Sequence, residues 1–230
     1  MTSIKQLPKD ERPRERLIAK GARSLSDQEL LAILLGILVA AGARPLHLGA
    51  VLGLGAAMTA LAVKLHLLKE YQLKRLLVFL DPTVDPQGAG YNVIQSQIAI
   101  GSGGLSGKGL FAGTQSGLNF LPHHDTDFVF SVLGEELGFL GALLLLGLYL
   151  LLIIRVLAVA AGARDTLGCY LAAGVASMLL FQVVVNVGMT IGIMPVTGIP
   201  LPLISYGGSS MLSTMAAIGL LLSIAYRRVS

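Results

Sequence analysis

Residues 143–154 are Leu, Ile and Gly with a single tyrosine, Tyr149, and the run ends at Arg155. A chain can hide so continuous an apolar surface only in a core or in lipid. With its apolar flanks the run exceeds the roughly 20 residues that cross about 30 Å of hydrocarbon. Three other stretches, at 47–68, 167–191 and 210–226, have the same character. Only 13% of the chain is charged and 54% is hydrophobic, whereas an ordinary soluble domain carries about 25% charged residues. These features predict an all-α, polytopic membrane helix bundle of about four transmembrane helices.

The net charge is +4. Basic residues gather in the first 25 positions and at the helix ends, a pattern that suits membrane orientation and not a nucleic-acid groove. Arg44, Arg155, Arg164, Arg227 and Arg228 fall on one side if the spans alternate. The positive-inside rule makes that side cytoplasmic, with the C-terminus on it. The chain has no tryptophan, so an interfacial belt falls to Tyr71, Tyr91, Tyr206 and Tyr226. Its one cysteine, Cys169, excludes an internal disulfide and a cysteine-rich zinc site; within an apolar run it reads as a small packed hydrophobe.

Two kinds of sequence meet near Gly36. Residues 1–36 are dense in charge and interrupted by Pro8 and Pro13; residues 37–230 are largely apolar. No apolar segment near Met1 resembles a secretory signal. Ser26 with Glu29 three positions later is a capping box, which predicts a helix through Leu30 to Leu35. Gly49, Gly53 and Ala57 share one face of the first span, where a second helix can approach closely. Residues 69–126 form a long outer loop rich in Gly, Pro and polar residues, with short helices expected at 71–80 and 92–100. A second outer loop at 192–209 is stiffened by Pro195, Pro200 and Pro202.

Chemistry concentrates in the first of these loops and just after it. Gly101, Gly103, Gly104, Gly107 and Gly109 surround Lys108. Such a loop can turn backbone N–H groups toward an anion, with the lysine as a point charge for phosphate. It lacks the P-loop spacing, because no Ser or Thr follows Lys108. Asp127 stands at the start of a membrane helix. It reads either as a carboxylate favouring the helix dipole or as a general base at the outer surface. Ser131 and Glu135 follow at steps of four and share its helix face. Glu135 and Glu136 then lie just inside the membrane, where acids need a cavity or a partner such as Lys74, Arg75 or Lys108. His123, His124, Asp125 and Asp127 are metal-ligating types, but neighbours in one turn rarely converge on a single ion. A magnesium or manganese ion shared with a pyrophosphate fits better than a zinc site made by protein alone. Gln182 and Asn186, one turn apart in an apolar helix, read as interhelical glue.

Several strings together resemble the RodA/FtsW family of shape, elongation, division and sporulation proteins. They are Asp81-Pro82, Asp85-Pro86-Gln87-Gly88-Ala89-Gly90-Tyr91, Gln95-Ser96, Ile98 to Gly104, Gly107-Lys108-Gly109, Gly113-Thr114-Gln115-Ser116, Thr126-Asp127-Phe128 and Glu135-Glu136-Leu137-Gly138. Gly198 to Ser209, with Ser205 and Tyr206, adds to them. The resemblance covers residues from about Ile37 to the C-terminus. It implies a peptidoglycan glycosyltransferase that polymerises lipid II on the outer face of the bacterial cytoplasmic membrane, for cell elongation and rod shape. It implies that Asp127 is the catalytic base. Lys108, Arg75, Gln115, Glu135, Glu136, Ser205 and Tyr206 are candidate substrate-binding residues. The expected partner is a class B penicillin-binding protein with transpeptidase activity. Asp125 departs from the family, which usually has His or Gln there. Ahead of Ile37 the family's earlier membrane helices have no counterpart; residues 4–36 instead resemble the start of a RadC-type protein, without its His-x-His-Pro metal motif. Two alternatives stand beside the transferase: a carrier that moves lipid-linked precursor across the membrane, and a shortened remnant without activity.

Overall fold

The computed structural model describes residues 27–65, 77–79, 81, 84–85, 88–114 and 126–229. Among these residues the secondary structure is helical throughout. The helices are α1 (Asp27–Ala40), α2 (Pro45–Lys64), α3 (Ala89–Ser102), α4 (Val129–Ala161), α5 (Thr166–Thr190) and α6 (Gly208–Val229). Three helices are long and apolar enough to cross a membrane: Val129–Ala161, Thr166–Thr190 and Gly208–Arg227. α2 stands where the first of the four expected spans begins, and open space surrounds its Gly49 and Gly53.

The core is built on α5. Its small residues Ala172, Ala173 and Ala176 are buried, which lets neighbours come close. α4 and α5 form an antiparallel hairpin. Val156 and Ala160 of α4 pack on Ala172, Ala176 and Leu179 of α5, and Leu221 of α6 completes that cluster. Toward the other end, Phe130 and Tyr149 of α4 meet Val183 and Leu201. Arg155, the turn bearing Arg164, and Arg227 therefore share one end of the bundle; Asp127, α3 and the 192–207 loop share the other.

α1 lies along α5. Gly36 crosses so tightly that a Cβ there would overlap Ser177, and Gly174 faces Ile33 and Ile37. The helix runs on to Ala40, so the change in composition at Gly36 falls inside one continuous helix. Ser26 and the residues before it, including most of the RadC-like stretch, lie outside the described residues, as does most of the helix expected at 71–80. The helix expected at 92–100 is α3, longer by a few residues at its start.

The expected span beginning near Phe128 is α4, but it is not one straight helix. At 1.5 Å per residue its 33 residues extend about 50 Å, well beyond the ~30 Å of hydrocarbon. It breaks at Gly138, where φ is 66° and ψ is −164°. The part from Phe139 to Ala161 is about 35 Å long and suffices to span. Glu135 and Glu136 sit on the N-terminal side of this break, within the apolar stretch Val129–Ala161.

Candidate functional site

A helix break frees backbone groups, and groups freed at membrane depth must find partners. The loop after α3 supplies them. The N–H groups of Lys108 and Gly109 donate to the carbonyls of Glu135 and Glu136 at 3.0 Å each. Beyond the break, the N–H groups of Phe139 and Leu140 donate to the carbonyls of Gly104 and Leu105 at 2.9 and 3.1 Å. The loop is spliced into the helix through four backbone hydrogen bonds. This corrects one expectation from sequence: the N–H groups of Lys108 and Gly109 are engaged by helix carbonyls and do not point at an anion. Two glycines make the approach possible. Gly138 has a left-handed backbone, and a Cβ on it would overlap the Gly107 nitrogen; a Cβ on Gly107 would in turn overlap the Glu136 carbonyl.

The splice brings charge with it. Lys108 Nζ lies 2.7 Å from Glu135 Oε1, and the Glu135 side chain is fully buried. The same oxygen accepts from the Thr114 N–H at 2.8 Å and from the Thr114 hydroxyl at 3.1 Å. Lys108 also donates to Thr114 Oγ1 at 2.8 Å. Burying a carboxylate is costly unless it is paired and hydrogen-bonded, and here it is both. Of the partners the sequence offered Glu135, the structure brings Lys108; Lys74 and Arg75 lie outside the described residues. Two of the three ammonium donors of Lys108 are engaged in this way, and 28% of its side chain stays exposed.

One turn back along α4, Ser131 is buried against Ser96 of α3, hydroxyl to hydroxyl. Ser96 also donates to the Thr190 carbonyl at 2.7 Å, and Gln97 donates to the Ile191 carbonyl at 3.1 Å. These bonds satisfy carbonyls at the end of α5 that have no helical partner. α3 is thereby fixed to the start of α4 and the end of α5 together.

Asp127, half-buried, immediately precedes Phe128, the N-cap of α4. It is held from two sides. Asn186 of α5 donates from one amide nitrogen to the Asp127 carbonyl at 2.9 Å and to the Ile199 carbonyl at 2.8 Å. Gly198, with φ of 71°, packs on the carboxylate: a Cβ there would stand 3.3 Å from Asp127 Oδ2. Asn186 is interhelical glue, as its sequence context suggests, and what it binds is the backbone at both the aspartate and the proline-rich loop. That loop is also tied down by the Tyr149 hydroxyl, which donates to the Pro202 carbonyl. Ser205, a candidate for substrate, is buried and accepts the Leu201 N–H at 2.8 Å, closing the turn. Tyr206 beside it is exposed. Glu136 is half-buried, with its carbonyl in the splice. Gln115, His123, His124 and Asp125 lie outside the described residues.

Sequence reasoning missed three parts of this site: the break at Gly138, the role of Thr114 beside Glu135, and the two backbone carbonyls that Asn186 joins. The arrangement sets a half-exposed carboxylate near one end of a rigid bundle, with a paired but accessible ammonium on a loop locked to the same helix. A carboxylate so placed can abstract a proton, and an accessible ammonium can stabilise developing negative charge.

Comparison with known proteins gives this end of the bundle its context. The chain is 56% identical over 158 residues to the peptidoglycan glycosyltransferase MrdB of Escherichia coli K12, a match covering 69% of this chain and 43% of that protein. It is 54% identical over 164 residues to the peptidoglycan glycosyltransferase RodA of Treponema pallidum, covering 71% of this chain and 38% of the relative. A probable peptidoglycan glycosyltransferase FtsW of Trichlorobacter lovleyi is 42% identical over 197 residues, covering 85% and 50%. The chain thus spans half or less of the length of these relatives. Among solved structures, a chain of a peptidoglycan synthase complex that coordinates polymerization and crosslinking superposes with a TM-score of 0.66 at 40% identity, over 86% of this chain and 55% of that one. The model of the FtsW, RodA and SpoVE cell-cycle proteins matches residues 25–229, from the start of α1 to the end of α6, and the chain belongs to that family.

Proposed function

We propose that this chain carries the outer catalytic end of a glycosyltransferase that polymerises lipid II into peptidoglycan strands. The observation that carries the reading is Asp127, half-buried at the head of α4 and held by Asn186 and Gly198, with the Lys108 ammonium on a loop spliced into the same helix. Relatives named peptidoglycan glycosyltransferases favour transfer over translocation.

In this reading Asp127 takes the proton from the acceptor sugar hydroxyl. The resulting oxygen nucleophile attacks the anomeric carbon of the donor. A new glycosidic C–O bond forms as the bond to the pyrophosphate breaks, and undecaprenyl pyrophosphate leaves with the electron pair. Lys108, with a donor to spare, stabilises the charge growing on the leaving group. Glu135 and Thr114 hold that ammonium in place. Arg75, Gln115, Glu136 and Tyr206 complete the proposed substrate contacts, and Ser205 shapes the loop behind them. Among the described residues no three His, Cys, Asp or Glu side chains gather to hold a metal. A magnesium or manganese ion shared with the pyrophosphate would add positive charge to stabilise the leaving group. The end bearing Asp127 faces outward and the end bearing Arg155, Arg164 and Arg227 faces the cytoplasm, by the positive-inside rule. The partner in this reading is a class B penicillin-binding protein supplying the transpeptidase.

The test is incubation of the purified chain with that partner and fluorescent lipid II, with magnesium, with manganese or with EDTA. Glycan polymer in the metal arms, reduced by EDTA, is the expected result. Lipid II that crosses a bilayer without forming polymer would overturn the proposal.

A further inference from the structure

The loop that closes the break in α4 carries an apolar edge that the proposed chemistry does not use. Leu105, Leu110 and Phe111 are 73%, 66% and 95% exposed. Phe111 also holds a left-handed backbone, with φ of 60°, a conformation that costs a bulky residue and is kept only when something gains from it. The splice fixes the height of this edge. The Leu105 carbonyl accepts the Leu140 N–H, and the Gly104 carbonyl accepts the Phe139 N–H. Phe139 and Leu140 are themselves exposed and open the spanning half of α4, followed by exposed Leu143 and Leu144. Leu105 is therefore level with the start of the exposed apolar surface of α4 and continuous with it. Gly109, bonded to the Glu136 carbonyl, lies on the headgroup side of the break, so Leu110 and Phe111 follow at a shallower level. The one charge within this edge, Lys108, is turned inward to Glu135.

We propose that the 105–111 edge of the loop is an interfacial anchor seated in the lipid leaflet at the Asp127 end of the bundle, with Leu105 deeper than Phe111. The occupant is lipid because the edge continues the exposed apolar surface of a helix long and apolar enough to cross a membrane. The anchor sets the height of the Lys108–Glu135 pair relative to the headgroups. It depends on the placement of α4 in the membrane and not on the transfer chemistry.

The chain has no tryptophan, so single substitutions give clean optical probes. Leu105→Trp, Leu110→Trp and Phe111→Trp would be placed one at a time in the full chain in nanodiscs, with Leu144→Trp as the lipid-facing reference. Anchors of this kind sit about 5–10 Å into the headgroup–acyl boundary. The expected result is blue-shifted emission and quenching of about twofold or more by lipids brominated high on the acyl chain, with Leu105→Trp quenched from deeper positions than Phe111→Trp. Red, unquenched emission from all three loop probes beside a quenched Leu144→Trp would overturn the proposal. Emission that shifts only when the transpeptidase partner is added, without bromine quenching, would assign the edge to a protein interface and overturn it equally.

Discussion

Asp127→Asn is expected to lower polymerisation of lipid II by at least about 100-fold, the scale on which a positioned general base contributes. The substitution keeps the size of the side chain and its packing on Gly198. It also leaves the backbone carbonyl that Asn186 binds, so the fold at the head of α4 is retained. Only the proton acceptor is lost. Thermal unfolding in detergent should be nearly unchanged, and binding of labelled lipid II should persist while gel-resolved polymer disappears. An Asn variant that polymerises at the parental rate would remove Asp127 from the mechanism.

Gly138→Val is expected to do the most damage to the fold of the site. At φ of 66° and ψ of −164° a β-branched residue is strained, and backbone in this almost glycine-only region costs roughly 1–3 kcal/mol before any clash. A Cβ would also overlap the Gly107 nitrogen and press on the Leu105 carbonyl. The four splice bonds would then be stretched or lost, at about 1 kcal/mol net each. A total of about 5–7 kcal/mol follows, enough to lower the melting temperature clearly and to release Lys108 from Glu135. Gly138→Ala keeps the strain and the clash without the branch and should fall between. The measurement is thermal unfolding in detergent or nanodiscs, with polymer yield alongside. A Val variant as stable as the parent would contradict the splice.

Much of this architecture was legible in the residues, for identifiable reasons. Continuous Leu and Ile from 143 to 154 leaves lipid or core as the only solutions, and α4 follows. Four-residue spacing put Ser131 and Glu135 on one buried face of α4, but not Asp127, which precedes the N-cap Phe128 and lies off the helix; the cost of a buried acid pointed to a basic partner, which is Lys108. Asn186 was visible, with Gln182 one turn away, as an amide in an apolar helix. Its partners were not, because they are backbone carbonyls with no signature in sequence. The break at Gly138 was hidden for a different reason. A glycine in an apolar run reads as a small residue for helix packing, and only the loop some thirty positions earlier shows that its φ is positive. The change at Gly36 marks a shift in composition and not an end of structure, since Gly36 packs on Ala173 and Ser177 of α5 while Ile33 and Ile37 on either side of it pack on Gly174.

The proposed function places lipid II at the Asp127 end of this bundle. Photo-crosslinking tests it most directly. p-Benzoylphenylalanine would replace Tyr206, exposed at that end, or Tyr226, exposed near the end of α6. Each chain in nanodiscs would then be irradiated with labelled lipid II. Strong labelling through position 206 and little through position 226 is the expected result. Labelling through 226 with none through 206 would contradict it.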